Sequence, residues 1–278
     1  MVGGLALLFF LTGWTPSTAW AAFEDRGPVP SANGVGGLHA GDALSFPSRS
    51  LNPSAGSWRT GWGFHAAWSD PFGIPELSQA RIDASGPLGN RWTLGLWGMG
   101  LGGAAYSERS SGVTLSRSFG ATLAVGLGLS RSVVNLDRYG GDSQISLDLG
   151  LTYRHRLFDA GLAADNLLQS RLERFGETSN HPFIAAGISL PLDEGSRLLL
   201  DYQWDESGHT AVRAGMELRI YGPIQLRAGW DGGTERLSIG FGIGLGGWRT
   251  DSAWDHHPYL GWTPSAGMQW ERDHDPLP

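Results

Sequence analysis

The chain contains no cysteine, which excludes disulfides and thiolate metal sites at once. Lysine is missing as well, so all 20 basic residues are arginines. Arginine suits fixed, hydrogen-bonded ion pairs better than lysine does. The formal net charge is -7 and no basic stripe runs through the sequence, which argues against nucleic acid as a partner. No long amphipathic helical pattern competes for any segment. The apolar run over residues 2–13 is too short to cross a membrane as a helix.

What the chain has in excess is glycine, at 43 of 278 residues, about twice the usual fraction of roughly 7%. Tryptophan is abundant too, at 13. The opening "MVGGLALLFFLTGWTPSTAWAAFEDR" places small residues Ala19, Ala21 and Ala22 after an apolar run, the pattern of a secretory signal over residues 1–21. No basic residue precedes that run, a departure from the usual signal. Residues 22–56 follow, rich in Gly, Pro and Ser with no sustained period, and read as coil. From residue 57 to 272 the period is two, and residues 273–278 form a short tail.

The alternation has an unusual quality. In "RLSIGFGIGLGG", bulk falls on Leu237, Ile239, Phe241, Ile243 and Leu245, while Ser238, Gly240, Gly242 and Gly244 fill the other face. A half-buried strand of a soluble protein carries polar side chains on its second face. Here that face is nearly bare. Similar stretches begin near Thr60, Gln79, Arg91, Gly112, Ala121, Gln144, Asp159, Phe183, Arg197, Ala211, Ile224, Glu235, Trp248 and Trp262. Turn pairs such as Gly140-Gly141, Gly222-Pro223 and Gly232-Gly233 separate some of them, as hairpins of a meander require.

A soluble sandwich or propeller also has short alternating strands. Export, apolar-out alternation and tryptophans near strand ends instead favour an all-β fold: a transmembrane antiparallel up-and-down β-barrel of about 14 strands in the outer membrane, with an N-terminal hatch-like segment. Leu237, Ile239, Phe241 and Ile243 would then face lipid, and Arg213, Glu217, Arg219 and Arg227 the interior. The bare glycine face would point inward, letting the wall curve or leaving room for a plug. An arginine at Ile239 should harm assembly more than one at Gly240, unless the lumen is crowded.

The order of landmarks resembles the PorV/PorQ family of outer-membrane proteins, part of the wider group of FadL-type long-chain fatty-acid transporters. "ANGVGGLHAGDALSFPSRSLNPSAG" is similar to the family's opening, with Gly36-Gly37, Asp42 and Asn52-Pro53-Ser54 in the matching places. "DLGLTYRHRLFDAGLAADNLLQSRLERF" resembles its central hairpin through Asp148, Gly150, Tyr153 and Asp165-Asn166-Leu167. "DSAWDHHPYLGWTPSAGMQW" resembles the closing hairpin through His257-Pro258, Leu260-Gly261 and Thr263. Two features depart from the pattern: Trp270 is followed by "ERDHDPLP" instead of ending the chain, and Ser54 replaces an alanine. The resemblance implies a fourteen-stranded barrel whose N-terminal segment folds back as an internal hatch. It also implies a role in moving hydrophobic compounds across the outer membrane, or in protein secretion and surface attachment.

Candidate ligand-binding residues are Asn52, Pro53, Arg213, Arg219 and Arg227. Asn52-Pro53 can shape a gate in the hatch or simply form a turn before the first strand. The arginines can hold an anionic head group, with Leu44 and Phe46 beside its tail, or can pair with Asp148, Asp201, Glu217 and Asp231 across a polar lumen. His256-His257 beside Asp255 makes a poor chelate, since adjacent strand residues point to opposite faces, so neither metal nor cofactor is expected. No Gly-x-Ser-x-Gly elbow is present, and an enzyme is not expected. The expected partners are outer-membrane lipid and either a hydrophobic small molecule or a secreted protein, the latter docking at loops such as 173–181.

Overall fold

Bulky outward and small or polar inward side chains alternate along fourteen antiparallel strands. In chain order these are β1 (Gly63–Ser69), β2 (Gln79–Leu88), β3 (Trp92–Gly102), β4 (Tyr106–Phe119), β5 (Leu123–Leu136), β6 (Gly140–His155) and β7 (Phe158–Asp165). They continue as β8 (Phe183–Asp193), β9 (Ser196–Asp205), β10 (Thr210–Tyr221), β11 (Ile224–Asp231), β12 (Arg236–Leu245), β13 (Trp248–His257) and β14 (Gly261–Glu271). Each pairs with its sequence neighbour, and β1 pairs with β14 from Gly63 opposite Glu271 to Ser69 opposite Ser265, which closes the sheet. Closure satisfies the backbone of every strand within the wall, the condition for burying strands in lipid.

The computed structural model describes residues 27–37, 40–43, 52–168, 182–206 and 208–272. The expected signal over 1–21, Leu44, Phe46, the 173–181 loop and the 273–278 tail lie outside the described residues.

The two ends of the barrel differ. Where the chain enters β1 and leaves β14, strands are joined by short turns at 89–91, 120–122, 156–157, 194–195, 222–223 and 246–247. At the opposite end the connections include 70–78, which holds two single 3-10 turns, and 166–182, the longest. Short turns at one end and longer loops at the other are the asymmetry of outer-membrane barrels. Outward-facing aromatics collect at both ends: Trp68, Trp204, Trp230, Trp254 and Trp262 at the loop end, and Phe64, Trp92, Phe119 and Trp248 at the short-turn end. These are the two belts that a bilayer's interfaces select.

On β12, Leu237, Ile239 and Phe241 are exposed outward while Ser238, Gly240 and Gly242 are buried inward. The lumen behind Gly240 is not open, however. A Cβ there would lie 3.0 Å from the Gly34 Cα and 3.2 Å from the Arg227 Cβ. The crowding condition on the expected mildness of an arginine at Gly240 is therefore met: no room exists for it.

Candidate functional site

What fills the lumen is the chain's own N-terminal segment. It has no alternation to make it a wall strand, and its one helical turn, α1 (Pro30–Asn33), starts on a proline whose missing N–H costs nothing at that position. Gly27 sits beside Met99 toward the loop end of β3, and Gly36 lies on the backbone of Trp230 at the loop end of β11. Val35 packs on Leu199. Trp58 then donates from Nε1 to the Gly120 carbonyl in the β4–β5 turn at 3.0 Å, and Arg59 pairs with Glu271 at 2.5 Å beside the exit of β14. The described parts of the segment thus pass from the loop end to the short-turn end before β1 begins.

Its seat explains the glycine-rich inner face. Side chains at Gly126, Gly150, Gly161 and Gly229 would overlap Pro53, Asn52, Ala40 and Val35 respectively, and one at Gly187 would press within 2.5 Å of the Gly41 nitrogen. Together with Gly240 these glycines mark the wall where backbone meets backbone. Close approach of two chains is one reason for glycine within a strand. Here it recurs on β5, β6, β7, β8, β11 and β12.

Asn52 holds two parts of the segment together beside Thr152 of the wall. It is fully buried. Its Nδ2 donates to the Ala40 carbonyl at 3.0 Å, and its Oδ1 accepts from the Ser54 amide at 3.1 Å and the Ser54 hydroxyl at 2.7 Å. Ser54 Oγ is also 2.6 Å from Thr152 Oγ1 on β6. Ser54 thereby gains a wall partner. Pro53 rests over Gly126 and Gly128. Buried polar groups require such partners, each lost one costing about 1–3 kcal/mol.

A charge network anchors the other side. Asp42 of the segment accepts from Arg197 of β9 at 2.6 Å. Arg197 faces Glu217 at 3.3 Å, and Glu217 accepts from Arg227 at 2.5 Å and lies 3.4 Å from Arg249. Arg227 and Arg249 both reach Asp251, at 2.8 and 3.0 Å. Three arginines and three carboxylates thus balance in a place where an unmatched charge would be costly. A second buried set joins Arg81 and His65 to Asp83, at 2.8 and 3.0 Å.

The candidate ligand-binding residues do not converge. Asn52 and Pro53, of the N-terminal segment, rest against β5 and β6, whereas Arg213, Arg219 and Arg227 are residues of β10 and β11. Arg227 has no exposed side-chain surface and is engaged by Glu217, Asp251 and Gln225. Arg213 pairs with Asp231 at 3.1 Å. Arg219 is exposed at the short-turn rim, against Gly195. Alternation alone told in from out but not rim from lumen.

One feature of the inner wall departs from the alternation of the rest. Large apolar side chains are scarce inside, yet Trp97, Met99 and Leu101 of β3 and Val134 and Leu136 of β5 all take inward positions in the loop half. Between them on β4 stand Tyr106, opposite Leu136, and the buried Glu108 and Ser110. The signal was present, because an inward position occupied by Trp or Met breaks the small-or-polar rule of the other strands.

No protein-family model and no curated protein matches the chain. Solved structures do match. The toluene transporter TbuX of Ralstonia pickettii superposes with a TM-score of 0.70 at 13% identity, over 90% of this chain and 99% of that one. The toluene transporter TodX of Pseudomonas putida gives 0.68 at 10% identity, over 90% and 98%. A FadL homologue of Pseudomonas aeruginosa gives 0.58 at 11% identity, over 90% and 98%. At such identities the likeness establishes architecture, and the architecture is a fourteen-stranded barrel of FadL-like type.

Proposed function

We propose that the protein is an outer-membrane conduit for hydrophobic or amphipathic small molecules, with its loop end outward and residues 22–56 acting as the hatch. The observation that carries this reading is the set of apolar inner side chains at the loop end, Trp97, Met99 and Leu101 on β3 and Val134 and Leu136 on β5, with Met99 against Gly27 of the seated segment and Tyr106, Glu108 and Ser110 of β4 between the two strands. Pockets that hold hydrophobic ligands are lined in this way, with few polar groups to orient them. The shared architecture with toluene transporters supports the same assignment. An acidic head group would find Arg213, which Asp231 alone pairs among the described residues; Asn52 and Pro53 would shape the hatch rather than touch the ligand. Nothing in this reading calls for catalysis.

The test is uptake of a labelled monoaromatic hydrocarbon and a labelled long-chain fatty acid by cells with and without the protein. Uptake of at least one should rise several-fold with the protein, and Met99→Glu should remove the increase while leaving the barrel assembled. Equal uptake with and without the protein would end the proposal.

The finer resemblance to the PorV/PorQ family supports a second reading, a secretion-associated scaffold. Two of its motif residues reach the wall: Asp42 pairs with Arg197, and Asn52 Nδ2 lies 3.5 Å from Thr152 Oγ1. That role predicts unchanged uptake and a cross-linked exported protein at the loop end.

A further inference from the structure

The outward face of the barrel carries almost no formal charge. Following the alternation of each strand short of its turn residues, no aspartate or glutamate points outward among the described residues, although the chain has 27 of them. Three arginines do point outward, Arg109, Arg117 and Arg131, and all three stand on β4 and β5.

Their heights differ. Arg117 lies at the short-turn belt, its guanidinium 5.3 Å from the Trp92 ring and 5.1 Å from the Phe119 ring. Arg109 and Arg131 lie toward the loop end. The register there passes from an apolar row, Val113 opposite Leu129, to Ser111 opposite Arg131, then Arg109 opposite Val133, then Ser107 opposite Asn135. Both arginines are exposed and diagonal neighbours on one face, a spacing of about 7–8 Å between such positions. On β6 the next outward residue is Ser143, whose hydroxyl is 3.5 Å from an Arg131 Nη.

Inside the barrel, by contrast, Arg81, Arg197, Arg213, Arg227 and Arg249 each face a carboxylate. Arg109 and Arg131 have no carboxylate partner among the described residues. Two like charges side by side on a sheet repel. An anion placed between them removes that repulsion, and guanidinium forks match phosphate oxygens bidentately. The pair stands one and two rows above the apolar band, the depth at which a lipid's phosphate would sit.

We propose that Arg109 and Arg131, with the hydroxyls of Ser111 and Ser143, form a binding site on the outer wall for the phosphate of a lipid head group in the outward-facing leaflet. The site needs the membrane location given above but not the conduit activity. It would hold a phosphorylated glycolipid against β4 and β5, the strands that carry part of the apolar inner surface on their other face.

The full chain, purified from outer membranes in a neutral detergent, is incubated with bisphosphorylated lipid A, with the same lipid after dephosphorylation, and with inorganic phosphate. Bound lipid is counted by native mass spectrometry. The phosphorylated lipid should be retained about tenfold more than its dephosphorylated form, as charge-assisted pairing requires. Inorganic phosphate at equal concentration should not displace it. The Arg109→Gln/Arg131→Gln variant should lose the preference, and Arg117→Gln at the opposite belt should keep it. Equal retention of both lipids by the unaltered protein would overturn the proposal even if no variant assembled. Displacement by inorganic phosphate would overturn the lipid as occupant, and an unchanged preference in the double variant would overturn the site. Failure of the uptake test leaves these readings untouched, so the two proposals fail separately.

Discussion

Gly161→Leu is expected to prevent the barrel from closing around its N-terminal segment, at a cost above about 3 kcal/mol. Any Cβ at Gly161 overlaps the Ala40 carbonyl oxygen. Neither chain can yield easily, because Ala40 is held by its own amide on Asp201, at 2.9 Å, and by the Asn52 side chain on its carbonyl. Overpacking against backbone is harsher than against a side chain that can turn away. Gly100→Ala is the comparison. Gly100 takes an outward position on β3, and a Cβ there meets nothing closer than the Glu108 carbonyl at 3.8 Å. Its effect should stay within about 0.5 kcal/mol. Both variants are compared by the fraction that runs as the compact, heat-modifiable band and by the urea midpoint of unfolding from detergent. Equal behaviour of the two would mean that the segment does not rest on the wall.

Arg227→Met is expected to destabilise the barrel by about 3–5 kcal/mol, the cost of leaving buried charge without its partner. Arg227 Nε and Nη1 bond Glu217 and Asp251, and neither carboxylate can reach water readily. Glu217 keeps Arg197 and Arg249 nearby, whereas Asp251 keeps Arg249 as its one remaining ion-pair partner among the described residues. Adding Asp251→Asn should therefore recover a large part of the loss, because it removes the less compensated of the two charges. Unfolding midpoints of the single and double variants give the coupling directly. A double variant that is weaker than the single one would contradict the network as drawn.

Much of the wall was legible because its period of two is set by two different solvents, lipid outside and the filled lumen inside. Starts expected at Gln79, Phe183, Ile224 and Trp248 are the observed first residues of β2, β8, β11 and β13. The larger misses are informative. β4 was expected from Gly112 but starts at Tyr106, and β6 was expected from Gln144 but starts at Gly140. In both cases the outward residues beyond the apolar band turn polar, through Ser111, Arg109 and Ser107 on β4 and Ser143 on β6, so bulk no longer alternates although the hydrogen-bonded ladder continues. The path of the N-terminal segment was not legible at all. It has no period, and its course depends on glycines far along the chain, such as Gly240 beneath Gly34. Nor could alternation choose partners: it turned Arg227 inward but gave no reason to join it to Asp251 on a strand two places along.

The absence of cysteine makes one measurement direct. The N-terminal segment occupies the lumen, where Ser54 Oγ and Thr152 Oγ1 stand 2.6 Å apart. A Ser54→Cys/Thr152→Cys variant, oxidised in intact outer membranes, is unfolded and treated with a thiol-reactive polymer. Ser110→Cys/Ser132→Cys, whose parent hydroxyls are 2.7 Å apart within the wall, serves as the reference. The account predicts that both pairs form disulfides and that neither takes up the polymer until reduced. Closure of the wall pair with two freely reactive thiols at 54 and 152 would contradict it.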